Sequence, residues 1–120
     1  MQSSKNLSAG SESSSCYIDQ IAREIRALVP HGSLPDEATD GLFRMYAVLL
    51  LAKGENVLAS DIHNAWVAWM VNSDPEHDSL VPFEFLSAEV QKQDEPYVEA
   101  IKATWRKLNR KIDASYQNEN

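Results

Sequence analysis

Apolar positions in this chain recur at three- and four-residue intervals, the period of a helix with one buried face. Ile18, Ile21, Ala22, Ile25, Leu28 and Val29 form one such stripe, with Asp19, Arg23, Glu24 and Arg26 on the opposite side. Ser14 or Ser15 stands where a cap belongs, and Pro30 with Gly32 ends the run. A second segment opens at Leu34-Pro35-Asp36-Glu37, with proline and acids placed as a helix N-terminus favours them. It continues through Leu42, Phe43, Met45, Tyr46, Val48, Leu49, Leu50 and Leu51 to Gly54, a residue suited to the position just past a helix end. Residues 45–52 are apolar on every side, which predicts a central helix packed all round, with Leu49 and Leu50 buried.

The pattern predicts three further pieces. Ser60 is expected to cap a third helix carrying Ile62, Ala65, Trp66, Trp69 and Met70, which stops at Asn72-Ser73-Asp74-Pro75. Leu80-Val81-Pro82-Phe83-Glu84-Phe85-Leu86 is too short for a full helix and holds a proline, so it reads as extended chain leading into one helical turn. Another short turn or helix begins at Ser87-Ala88-Glu89. Asp94 then caps the closing helix, with Glu95 and Pro96 in its first turn and an apolar stripe of Tyr97, Ile101, Trp105, Leu108 and Ile112. No stretch alternates with the two-residue period of a strand. The expected fold is all-α, a compact bundle of four main helices plus one or two short helical turns.

The ends differ from the middle. Residues 1–15 hold seven serines and one large aliphatic side chain, Leu7, too little apolar surface to offset the entropy of ordering. They are expected to be a disordered tail, with a single helical domain over residues 16–113 and a frayed, polar C-terminus over 114–120. At 120 residues there is room for one domain with its own core.

Charge and composition narrow the function classes. A net charge of −7 repels nucleic acid and anionic membrane surfaces, so neither is an expected partner. Cys16 is the only cysteine, so the chain forms no internal disulfide and no cysteine-based zinc site. Residues 45–52 are the longest apolar run, far below the roughly 20 needed to span a bilayer. The N-terminus lacks the apolar stretch of a secretory signal. The expected location is the cytoplasm.

Candidate chemistry is sparse. His63 has no histidine or cysteine one turn away on its helix, and Asp74, Glu76, His77 and Asp78 lack the glycine and spacing of a calcium loop. They read as a solvated acidic loop, with no metal and no cofactor. No nucleophile elbow or glycine-rich phosphate loop is present, which argues against an enzyme. Trp66 and Trp69 share a helix with His63 and read either as core or as a stacking wall for a planar ligand. Lys102, Arg106, Lys107, Arg110 and Lys111 form the one basic cluster. It either complements the helix dipole or supplies phosphate contacts through Arg106 and Arg110.

The order of these pieces resembles the repeat domain of ryanodine receptors. That family reads as a helix with H-x-x-W, a loop, L-V-P-[YF]-x-x-L, a polar turn with K-x-x-D, and a closing helix. His63 and Trp66, then Leu80, Val81, Pro82, Phe83 and Leu86, then Lys92, slightly displaced before Asp94, occupy these places over about forty-five residues. Where the family carries an aromatic segment before L-V-P, this chain has VNSDPEHDS. The N-terminal half, with LPDEATDGLFRMYAVLLLAKGENVLASDIHNAWVAWM, looks like small uncharacterised proteins of actinobacteria and their phages. The resemblance implies a non-enzymatic module that binds a nucleotide-derived ligand through His63, Trp66, Trp69, Pro82 and Phe83, with Arg106 and Arg110 on its phosphate. The alternative is a protein–protein adaptor with no small ligand.

Overall fold

A computed structural model describes residues 16–34 and 38–118, with side chains described through residue 110. The serine-rich tail, the Ser14 and Ser15 caps, the opening at Pro35-Asp36-Glu37, the Ile112 side chain and residues 119–120 lie outside the described residues.

Helix α1 spans Tyr17–Leu28 and α2 spans Asp40–Lys53. Helix α3 covers Ala59–Met70, the short α4 covers Ala88–Lys92, and α5 covers Glu95–Asn118. Single 3-10 turns lie at His31–Ser33, Gly54–Asn56 and Phe83–Phe85. Among the described residues there is no strand, so the fold is all-α with four main helices, as the periodicity predicts. None of these helices is long and apolar enough to cross a membrane. Helix α5 continues to Asn118, past the boundary expected at residue 113.

The core is built where the four long helices meet. Helix α1 packs on α2 and α5, and α2 packs on α3 and α5 as well. Ile21, Ala22 and Ile25 face inward from α1; Leu42, Phe43, Tyr46, Ala47 and Leu50 from α2; Ile62 from α3; Tyr97, Val98, Ala100 and Ile101 from α5. Three aromatic rings lock α2 to α5. Phe43 meets Tyr46 edge-on at 5.2 Å, and Tyr97 lies 5.4 Å from Tyr46 and 6.1 Å from Phe43, spacings at which ring quadrupoles attract. The Tyr97 hydroxyl donates to the Ser33 carbonyl at 2.6 Å and ties α5 to the turn after α1. Arg26 lies over the Phe43 ring and donates to the Thr39 hydroxyl at 2.6 Å.

The buried positions of α2 correct one expectation. They fall at i, i+1, i+4, i+5 and i+8, which is one face; Leu49 is only half-buried, while Val48 is 54% and Leu51 52% exposed. The helix is covered on one side, because α1, α3 and α5 all approach it from there. The helix starts also differ in detail. Ser60 sits inside the first turn of α3, and Asp61 instead accepts from the Leu58 N–H at 2.8 Å, the reciprocal half of a capping box. Ser87 does cap α4, its hydroxyl accepting from the Val90 N–H at 3.3 Å. Gly54 ends α2 with φ +57°, a backbone conformation that favours glycine.

Candidate functional site

One end of the bundle opens into a cavity of about 650 Å³, within the size range of small-ligand sites. Its walls come from five places. Gly32 and Ser33 belong to the turn after α1, Leu42 and Tyr46 to α2, and His63 and Trp66 to α3. His77 and Ser79 come from the loop, and Glu89, Val90, Lys92, Gln93 and Asp94 lead through α4 into Pro96 and Tyr97 at the start of α5.

The spacing of α3 makes the aromatic wall. His63 and Trp66 are three residues apart and therefore lie on one side of the helix; their rings stack at 5.7 Å with 22° between planes. The His77 ring meets Trp66 edge-on at 5.0 Å, so the indole contacts both imidazoles. Both histidines are fixed by backbone. The buried His63 donates from Nε2 to the Val81 carbonyl at 2.6 Å, which requires the proton on that nitrogen. His77 accepts the Ser79 N–H on Nδ1 at 3.0 Å, leaving Nε2 as its donor. The Phe83 ring lies 6.1 Å from His63, so the LVPF run braces the site from outside. Gln91 holds that run in turn, its amide donating to the carbonyls of Phe83 and Leu86.

Opposite stand a carboxyl and two phenols. Asp94 is half-buried, and burial pushes its carboxyl up to about 6, with His63 acting in the opposite sense. Burial also raises Tyr46 and Tyr97, and the charge of Asp94 adds to both, so each phenol stays neutral. Tyr97 spends its proton on Ser33. Among the described residues, no hydrogen-bond partner reaches the Asp94 carboxylate or the Tyr46 hydroxyl. No group of three or more histidine, cysteine or acidic side chains is arranged for a metal ion among the described residues.

The sequence-derived residues divide sharply. His63 and Trp66 line the cavity and Phe83 backs it. Trp66 is half-buried, between the core and ligand-wall alternatives its helix position allows. Trp69 lies on a different part of α3, its indole against Gly41 at the start of α2, so the two tryptophans do not form one wall. Pro82 is exposed and does not line the cavity. Arg106 and Arg110 do not line it either. Arg106 pairs with Glu55 at 2.6 Å beside the turn after α2, and Arg110 is exposed. The cation at the cavity is Lys92.

Sequence reasoning missed His77, Asp94 as a site residue, and the tyrosines. His77 was assigned to a solvated acidic loop, yet the loop turns its ring inward onto Trp66. The signal available was the lone aromatic nitrogen base among Asp74, Glu76 and Asp78.

No curated protein and no solved structure matches the chain. A family model does match, over residues 16–106, a span that contains every residue lining the cavity. The chain belongs to the family described as a domain of unknown function, DUF7701.

Proposed function

We propose that this chain is a small binding module whose cavity takes a flat, phosphorylated, nucleotide-derived molecule. The observation that carries this reading is the half-buried Trp66, in ring contact with His63 and His77, at the wall of a cavity that also presents Asp94 and Lys92. An indole face is a sequence-tolerant platform for a base, hydrogen-bonding groups orient it, and an ammonium suits a phosphate as a point charge. The resemblance to ryanodine receptor repeats supports the same reading, because its H-x-x-W and L-V-P-F pieces meet through the His63–Val81 hydrogen bond. In this reading the protein is cytoplasmic and binds without turnover.

The test is calorimetry on the full chain with a panel of nucleotides and cyclic nucleotides, alongside Trp66→Ala. Stacking on one aromatic side chain contributes about 1–3 kcal/mol, so the variant should bind roughly tenfold to a hundredfold more weakly. The ligand should be recovered chemically unchanged after incubation.

A second reading has its own observation. Phe85 is 74% exposed and Val81 is exposed beside the LVPF run, an apolar ridge of the kind that anchors a protein partner. Absence of heat with every nucleotide, together with a stoichiometric protein partner lost on Phe85→Ala, would favour an adaptor instead.

A further inference from the structure

We propose that Asp94 selects ligands by a flat edge carrying two adjacent N–H donors, so that the cavity prefers guanine over adenine. This rests on the nucleotide reading and goes beyond it, since stacking on Trp66 does not distinguish one purine from another.

An ionised carboxylate only accepts hydrogen bonds. The Asp94 carboxylate lines the cavity, half out of water, and no described residue donates to it. A half-buried acceptor with no protein donor is satisfied by water alone, so a ligand that displaces this water binds best when it brings donors of its own. Guanine presents N1–H and the N2 amino group side by side, matching the two carboxylate oxygens. Adenine sets its one amino donor beside the N1 lone pair, which would face a carboxylate oxygen with nothing between. Hypoxanthine has N1–H alone and falls in the middle.

A second, independent group fits the same edge. Tyr46 is 2% exposed, its hydroxyl has no partner among the described residues, and it lines the cavity near enough to respond to the charge of Asp94. Held neutral, that hydroxyl donates, and the guanine atom next to N1–H is the O6 acceptor. The acceptor–donor–donor row of guanine thus meets Tyr46 and then Asp94. Six other titratable groups line the cavity with Asp94: His63 from α3, Tyr46 from α2, Tyr97 from α5, Lys92 and Glu89 from α4, and His77 from the loop; of these His63, Tyr46 and Tyr97 interact with its charge. Ligand binding through the carboxylate should therefore weaken as acid protonates it near 6.

The experiment is calorimetry on the full chain with cyclic GMP, cyclic IMP and cyclic AMP, at about pH 7.5 and about pH 5. These phosphodiesters stay singly charged across that window, so the ligand does not titrate. Wild type should bind cyclic GMP at least about tenfold more tightly than cyclic AMP at the higher pH, with cyclic IMP between. Asp94→Asn, whose amide offers one donor and one acceptor, should bring the ratio to about one or invert it. Tyr46→Phe should weaken cyclic GMP more than cyclic AMP. The wild-type preference should shrink at the lower pH, whereas that of Asp94→Asn should not, which separates Asp94 from the two histidines. Equal affinities in wild type, or a ratio that survives Asp94→Asn, would overturn the assignment. Equal binding that still depends on Trp66 would leave the nucleotide reading standing and remove only Asp94; silence with all three ligands removes both. Should Asp94→Asn fail to fold, the wild-type ratio and its pH dependence decide alone.

Discussion

Gly54 offers the sharpest test of the packing. It ends α2 with φ +57° and ψ −129°, and its buried N–H donates to the Leu50 carbonyl. A Cβ built there would lie 2.8 Å from Trp105 Nε1, closer than real Cβ atoms approach, and 3.0 Å from Cε2. Gly54→Ala therefore meets two penalties. The backbone conformation costs a non-glycine residue about 1–3 kcal/mol, and pushing a half-buried indole aside costs about 1–3 kcal/mol more. The stiffer unfolded chain returns about 0.4–1 kcal/mol. The net loss should be roughly 2–4 kcal/mol, which for a domain of this size lowers Tm by roughly 10–25 °C. Urea and thermal unfolding of the full chain measure it. In a Trp105→Leu background the steric part disappears, so the same substitution should cost about half as much. A Gly54→Ala protein melting within about 3 °C of wild type would refute the close approach of α5 to this turn.

Four other outcomes follow from the geometry. Leu50→Ala should cost about 2–5 kcal/mol by urea unfolding, because the side chain is 1% exposed, whereas Leu51→Ala on the open face should change stability by less than about 0.5 kcal/mol. Tyr97→Phe should lower stability by about 1 kcal/mol through loss of the 2.6 Å hydrogen bond to Ser33. Arg106→Ala should leave ligand affinity unchanged and cost less than about 0.5 kcal/mol, since its pair with Glu55 is about half exposed on both sides. The Asp94 carboxyl, raised from its ordinary 3.8 to about 6, favours the protonated fold: its contribution is complete below about pH 4 and lost as pH rises through about 6. Asp94→Asn should remove that slope from a pH series of urea unfolding and leave the variant about 1 kcal/mol more stable near pH 7.5, the full shift being reduced because half the group faces screening solvent.

Much of the fold was legible because helices announce themselves locally. The stripes of α1 and α5, the glycine after α2, the Ser87 cap and the single turn inside LVPFEFL all follow from side-chain spacing and backbone preference. What periodicity does not supply is the number of neighbours. Residues 45–52 are apolar on every side, but Val48 and Leu51 face outward because the other helices gather on one face of α2. The same limit governs the site. His63 and Trp66 were readable as a pair because one helix carries both. Arg106 was not, because its partner Glu55 lies 51 residues earlier, and the side of α5 that meets the turn after α2 is fixed by tertiary packing. The direction of the His77 ring was likewise hidden, since it depends on a loop path set by Trp66 and the Ser79 N–H.

The placement of Asp94 joins stability to function. Asn is as good a residue as Asp at the start of a helix, so capping α5 does not require a carboxyl there. A neutral amide at this half-buried position would also avoid the desolvation that raises the carboxyl to about 6. The fold therefore tolerates an acceptor that no described residue satisfies, at the edge of a cavity walled by Trp66 and the two histidines. Strain of that kind is expected where a protein binds something, because the ligand supplies the missing donors and recovers the free energy on binding. A stabilising Asp94→Asn that also abolishes base preference would make both observations one effect; a destabilising one would mean that the carboxyl serves the helix, and the search for the ligand edge would move to Lys92 and His77.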